Sequence, residues 1–254
     1  MTTVALVDTS RTVVSGGTVL AGQRNLATTV WSPAGVGPFP LVVFVHGYDV
    51  GPLDFQRFCS TLASAGYVVA APSFPLEDPA QGFALDETHL TDEATDVAFV
   101  ITSLEQDAAT RVDRSRVAVV GHSDGADVAL LVGYGPGYVD PRVRAVVASA
   151  PDAMTVPPDA SQVPLLLVQG TADAVVPYSS SQSVFSQIQS PAYYLSFVGA
   201  DHATPVVGGS AWTPVLDNAV AVFLDATVGS RGTGVGALNA ELSASPLTTF
   251  ESKL

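Results

Sequence analysis

From Leu41 onward the chain alternates between short apolar runs and longer stretches of helical period. The runs are LVVFVH from Leu41, YVVAAP from Tyr67, RVAVVG from Arg116, VRAVVASA from Val143 and PLLLVQG from Pro164, with a similar sixth, YYLSFVG from Tyr193. They are rich in Val, Leu and Ala and lack internal alternation, the pattern of central strands covered on both faces. Among and after them, Leu53 to Ala65, Thr91 to Gln106, Asp124 to Val132, Tyr178 to Ile188 and Trp212 to Thr227 carry apolar residues at helical spacing. This rhythm predicts an α/β fold: a mostly parallel central sheet with right-handed crossovers and helices on both faces. Ahead of it, Thr12 to Trp31 alternates polar and apolar residues about a Gly16-Gly17 turn and predicts antiparallel edge strands.

The 254 residues fit one domain. Neither an internal repeat nor a linker divides them, and the core is expected over residues 11–228. The Pro-rich link from Ala153 to Val163 is too short to hold a helical cap domain. From Gly232 the sequence is rich in Gly, Ala, Ser and Thr with weak periodicity; a loose tail and a final packed strand both fit.

Hydrophobic residues make up 47% of the chain and charged residues only 13%, ample apolar material for a doubly covered sheet. The formal net charge is -14, with scattered arginines and a lone lysine at Lys253. No basic stripe can track a phosphate backbone, so nucleic acid is excluded as a partner. The single Cys59 lies in an apolar-periodic segment and reads as a buried structural thiol. No apolar run reaches the roughly 20 residues a membrane span needs. The first residues lack a secretory pattern, which points to the cytoplasm; a mature secreted form would read the same way. The final Ser252-Lys253-Leu254 spells a peroxisomal address if the source is a eukaryote. Oligomeric state is not legible.

The chemistry concentrates in VAVVGHSDGADVALLV, where Gly121-His122-Ser123-Asp124-Gly125 joins an apolar strand directly to a helix. A serine in G-x-S-x-G at such a junction sits on a tight turn with its hydroxyl raised above the sheet edge. The glycines two before and two after keep side chains out of its way. A serine hydroxyl needs a base to take its proton, and the base needs an acid to fix its tautomer. Downstream, PLLLVQG is followed at once by Asp173, and YYLSFVG by His202. Ser123 is thus the expected nucleophile, His202 the base and Asp173 its orienting acid. Asp152, ending the preceding strand, is the rival acid, and Asp201 is too near His202 in the chain to orient it. Of the other histidines, His46 is expected to shape a loop beside the site, His122 to point away from Ser123, and His89 to lie at the surface.

The oxyanion of an acyl-transfer intermediate needs preorganised donors, each worth roughly 3 kcal/mol. The backbone N–H of Asp124 is one candidate and that of Tyr48, in the loop after LVVFVH, the other. The Asp124 side chain is expected to favour the following helix's N-terminus. Tyr48, Phe74, Tyr178 and Trp212 are candidates to line a shallow apolar cleft. No metal-ligand cluster is evident and no cofactor is expected.

PLVVFVHGY, AGYVVAAPSFP, VAVVGHSDGA, LLLVQGTADAVVP and GADHATP together resemble a small α/β-hydrolase without a cap domain, over about residues 30 to 225. Within that superfamily the chain is similar to the dienelactone-hydrolase-like and cutinase-like carboxylesterases, a group that includes chlorophyllase, platelet-activating-factor acetylhydrolase and polyester hydrolase branches. The order Ser, Asp, His along the chain agrees with it. The resemblance implies a carboxylesterase working through an acyl-enzyme on a small-molecule or polymeric ester. Ser123 stands where true dienelactone hydrolases carry cysteine and where haloalkane dehalogenases and epoxide hydrolases carry aspartate, which disfavours those activities. An amidase, carbamate hydrolase or acyltransferase would use the same three residues, and a non-catalytic binding relative is the reading from another class.

Overall fold

The computed structural model describes residues 1–152, 154, 163–189, 191–229, 242 and 245–253. Its strands are β1 (Thr2–Asp8), β2 (Val13–Ser15), β3 (Thr18–Ala21), β4 (Arg24–Trp31), β5 (Phe39–Val45), β6 (Val68–Pro72), β7 (Val112–His122), β8 (Val143–Ser149), β9 (Leu165–Gly170), β10 (Ala192–Phe197) and β11 (Thr248–Lys253). The α-helices are α1 (Gln56–Ser64), α2 (Leu90–Gln106), α3 (Asp124–Tyr134), α4 (Tyr178–Gln187), α5 (Thr204–Val207) and α6 (Thr213–Thr227). Nine strands form the main sheet in the order β1-β4-β6-β5-β7-β8-β9-β10-β11. From β6 to β10 all neighbours run parallel, while β1, β4 and β11 are antiparallel to the strands they join.

The six apolar runs are the six central strands, and their lack of alternation has the expected cause. Leu41, Val43 and Val45 enter one core with α2, α3 and α4, while Val42 and Phe44 enter the other with α1 and α6. Helices therefore cover both faces, and β7, carrying the nucleophile motif, lies between β5 and β8 at the centre of the parallel strands. Cys59 is fully buried in the second core, where burial pushes its thiol pKa up, as a structural cysteine requires.

Two features differ from the sequence reading, and one open alternative is decided. The N-terminal Thr2–Asp8, not assigned to any element, is the edge strand β1, in register with β4 from Thr2 opposite Val30 to Asp8 opposite Arg24. The Gly16-Gly17 turn joins β2 to β3, but these form a ribbon apart from the main sheet, which only β4 of that segment enters. At the other end Thr248–Lys253 is a packed strand, β11, beside β10. Lys253 donates to the carbonyls of Phe185, Ser186 and Ile188 at the end of α4, so Ser252 and Lys253 are part of the sheet edge. Leu254, most of the stretch from Gly232 to residue 244 and most of the link between β8 and β9 lie outside the described residues.

Arg24, 1% exposed, ties β4 to α2 through two hydrogen bonds to Asp96, of 2.8 and 2.6 Å, with Arg11 on the same carboxylate. A buried pair is costly to break because the survivor is left uncompensated. Asp96→Ala should therefore lower unfolding free energy by about 3–5 kcal/mol in urea denaturation. A loss under about 1 kcal/mol would mean that the guanidinium finds other partners or water.

Candidate active site

Ser123 follows β7 and is the N-terminal cap residue of α3, at φ 57 and ψ −130. A β-carbon is disfavoured in this conformation, and such strain persists only where neighbours over-determine it. The neighbours do. A β-carbon on Gly121 would lie 1.9 Å from the carbonyl oxygen of Gly125, and one on Gly125 only 2.2 Å from that of Val45. The strand, the turn and the first turn of α3 are thus packed backbone against backbone. The Ser123 N–H donates to the Ser149 carbonyl, and its own carbonyl accepts from Ala126.

The loop after β5 closes on this turn. A β-carbon on Gly47 would fall 2.8 Å from that of Ser123, so only glycine lets residues 46–48 come so near. His46, buried, accepts a hydrogen bond from the Phe74 N–H at its Nε2, which makes it a loop-shaping residue as expected. The N–H groups of Tyr48 and Asp124 enter no backbone hydrogen bond among the described residues.

Asp173 and His202 meet above the ends of β9 and β10. His202 donates from Nδ1 to Asp173 Oδ2 at 2.8 Å, and the Asp173 side chain is fully buried. Its Oδ1 accepts from the N–H groups of Val175 and Val176, both at 2.9 Å, and its Oδ2 also accepts from Gln169 Nε2 at 2.8 Å. Four donors fix the carboxylate in place. The two loops are pressed together at Gly170, where a β-carbon would lie 2.4 Å from the Ala200 carbonyl oxygen. Asp201 caps Ala203 and Thr204, and Asp152 accepts from Ser180 Oγ; neither bonds the His202 ring. The Ser123 hydroxyl and the His202 ring are not hydrogen-bonded to each other here. Contacts of this kind commonly tighten when substrate seats.

Two residues that sequence reasoning left without a role support the pair. Gln169 is one. The other is His122, whose Nε2 donates to the His202 carbonyl at 2.9 Å and whose ring lies 4.7 Å from the His202 ring. Burial, with His202 adding to it, pushes the His122 pKa down to about 4, so this brace is neutral near pH 7. The strand-end positions of both were visible in the sequence; their hydrogen bonds were not.

The expected cleft residues fare unequally. Tyr48, in the loop that Gly47 brings against Ser123, is 42% exposed. Phe74 is not available to substrate: it is fully buried in the first core against the His46 ring, because the loop after β6 folds inward. Tyr178 stacks on Tyr194 and bonds Ser196 Oγ at 2.7 Å, and Trp212 packs on the second core. Both serve packing. His89, expected at the surface, is half-buried between Asp86 and Asp92. The Asp124 side chain stands in the first turn of α3, but Oδ2 is buried and unpartnered, and burial raises its pKa where an anion favoured by the helix end would have it lowered.

Comparison with known proteins fits this geometry. The profile of the Chlorophyllase family matches residues 12–169. The chain belongs to that family. A second profile, described as TAP-like protein, matches residues 144–227. Chlorophyllase-1 of Citrus sinensis is 32% identical over 113 residues, 42% of this chain and 33% of that protein. Chlorophyllase type 0 of Chenopodium album is 26% identical over 128 residues, 48% and 37% of the two chains. The match thus spans about a third of these curated relatives. Among solved structures, a ferulic acid esterase from Streptomyces cinnamoneus superposes with a TM-score of 0.80 at 23% identity, over 98% of this chain and 94% of that one. This chlorophyllase-family chain accordingly has the α/β-hydrolase fold.

Beneath the turn, Glu77 is buried with both carboxylate oxygens unpartnered; burial first, then Asp124 and its acidic neighbours, raise its pKa to about 8. The folded state therefore holds a proton that the unfolded state releases near pH 4.5. Stability should fall as pH rises from there towards 8. Glu77→Gln should lose less stability between pH 5 and pH 8 than the parent, by on the order of 1–3 kcal/mol in paired denaturation curves. Parallel curves for the two proteins would contradict a buried neutral Glu77.

Proposed function

We propose that the protein hydrolyses carboxylic esters through an acyl-enzyme, with Ser123 as nucleophile, His202 as general base and acid, and Asp173 as the residue that holds His202. The observation that carries the reading is the His202–Asp173 hydrogen bond, made by a carboxylate with every other lone pair engaged. A neutral imidazole that keeps its proton on Nδ1, donated in a hydrogen bond to a fixed carboxylate, has a bare Nε2, and it is Nε2 that must take the serine proton.

In this mechanism Ser123 Oγ attacks the ester carbonyl while His202 Nε2 takes its proton. The carbonyl π electrons move to oxygen, and the oxyanion is met by the N–H groups of Tyr48 and Asp124. Collapse re-forms the carbonyl and breaks the bond to the alcohol, which leaves with the proton from His202. Water then gives a proton to His202 and attacks the acyl-enzyme. The second collapse releases the acid and returns the proton to Ser123. The strained conformation of Ser123 supports this assignment, since a serine in G-x-S-x-G on such a strand-to-helix turn carries its hydroxyl clear of the helix. The names of the relatives, chlorophyllases and a ferulic acid esterase, point to ester substrates as well. Only the link of residues 150–164 joins β8 to β9, too short for a helical cap, so the substrate is an accessible ester.

A fluorophosphonate probe tests this directly. It should label Ser123 stoichiometrically, and Ser123→Ala should neither be labelled nor turn over p-nitrophenyl esters. Asp173→Asn should lower kcat by about 10³ to 10⁴. Labelling that proceeds at the parent rate in His202→Ala would overturn the assignment.

A further inference from the structure

Beside the nucleophile, on the side of α2 and α3, lies a second cavity of about 470 Å³. Its charged lining is all of one sign: Glu87, Asp124, Asp127 and Asp152, set among the apolar walls of Leu90, Leu131 and Met154. Asp124, the residue after Ser123, is the wall that brings the cavity nearest the reacting centre. The volume falls in the range of small-ligand sites.

An acidic cluster alone is often only a solvated face. Here a second observation points to a ligand. Asp127 lines the cavity yet is only 9% exposed; the Asp152 N–H donates to its carboxylate, but Oδ1 has no hydrogen-bond partner among the described residues, and the same is true of Asp124 Oδ2. Carboxylate oxygens withdrawn from water without a donor cost free energy that a cation can offset. The mutual field is felt: burial, then Asp124 and Asp152, raise the Asp127 pKa to about 8. Among the described residues no group of three or more acidic, histidine or cysteine side chains converges as metal ligands do. The negative charge is spread around the wall, which suits a bulky organic cation better than a metal ion.

We propose that this cavity receives an ammonium group carried by the substrate, so that the enzyme prefers esters with a cationic substituent on the acyl or the alcohol side. The proposal rests on the ester-hydrolase reading and names the substrate class for it. The net charge of -14 adds long-range attraction for such a substrate. At the cavity, Glu87 and Asp152 attract the cation, a positive charge there favours the ionised form of Asp127, and the apolar walls take its methyl or methylene groups.

Two isosteric pairs test the proposal and separate the two sides of the ester. Butyrylthiocholine is compared with 3,3-dimethylbutyl thiobutyrate, and p-nitrophenyl 4-(trimethylammonio)butanoate with p-nitrophenyl 5,5-dimethylhexanoate. In one pair the cationic member should have kcat/KM higher by about tenfold, the scale of one favourable charge contact. That ratio should fall towards one in the double variant Asp127→Asn/Asp152→Asn and should drop as ionic strength rises. Glu87→Gln, at an exposed position where folding is not at risk, should reduce it partially. The same ratio in parent and variants, or no cationic preference in either pair while neutral esters are turned over through Ser123, overturns the cation site and leaves the ester reading intact. If no ester is turned over, calorimetric titration with benzyltrimethylammonium decides the site alone. Saturable binding lost in the double variant supports the cavity's role, and absence of binding ends it.

Discussion

The site depends on how closely three pieces of backbone pack at the end of β7. Ser123 holds a conformation that costs of order 1–3 kcal/mol, and it does so because no side chain intervenes at Gly121, Gly125 or Gly47. With those three positions bare, the first turn of α3 rests on the carbonyls at the end of β5, and the loop after β5 rests on Ser123. In the proposed reaction the N–H groups of Tyr48 and Asp124, carried on these packed segments, would meet the developing charge with little reorganisation.

The second half of the site is built on a similar contact, at Gly170, where the strand end bearing Asp173 touches the loop bearing His202. Gln169 and the N–H groups of Val175 and Val176 fix the carboxylate, and His122 braces the histidine loop from the side of the nucleophile strand. The two halves therefore communicate through a neutral histidine one residue from Ser123. Around them lies an unusual density of acid. Glu77 and Glu93 are buried without partners. The burial that keeps them neutral is a stability cost, one the large doubly covered sheet offsets.

Much of this was legible in the chain because the relevant signals are local. Apolar runs without alternation marked the central strands, and the glycine spacing about Ser123 marked the turn. Asp173 and His202 stood out because each follows a strand end at once. What the sequence withheld was tertiary. Phe74 looks like any aromatic in a loop until the loop is seen to fold inward onto His46. Gln169 and His122 carry ordinary strand-end positions, and only the approach of β9, β10 and β7 gives them partners. Thr2–Asp8 and Thr248–Lys253 are edge strands with half-solvated faces, so neither shows the apolar run that marked the centre. The acidic cavity gathers residues from the loop before α2, from α3 and from the end of β8, with no motif to link them.

The account stands on a serine whose reaction places negative charge between two backbone N–H groups. A crystal structure of the adduct formed with a fluorophosphonate measures this most directly. It should show phosphorus bonded to Ser123 Oγ, His202 Nε2 turned to the adduct, and the phosphoryl oxygen roughly 2.7–3.1 Å from the nitrogens of both Tyr48 and Asp124. A phosphoryl oxygen facing solvent, or an adduct on another residue, would contradict it.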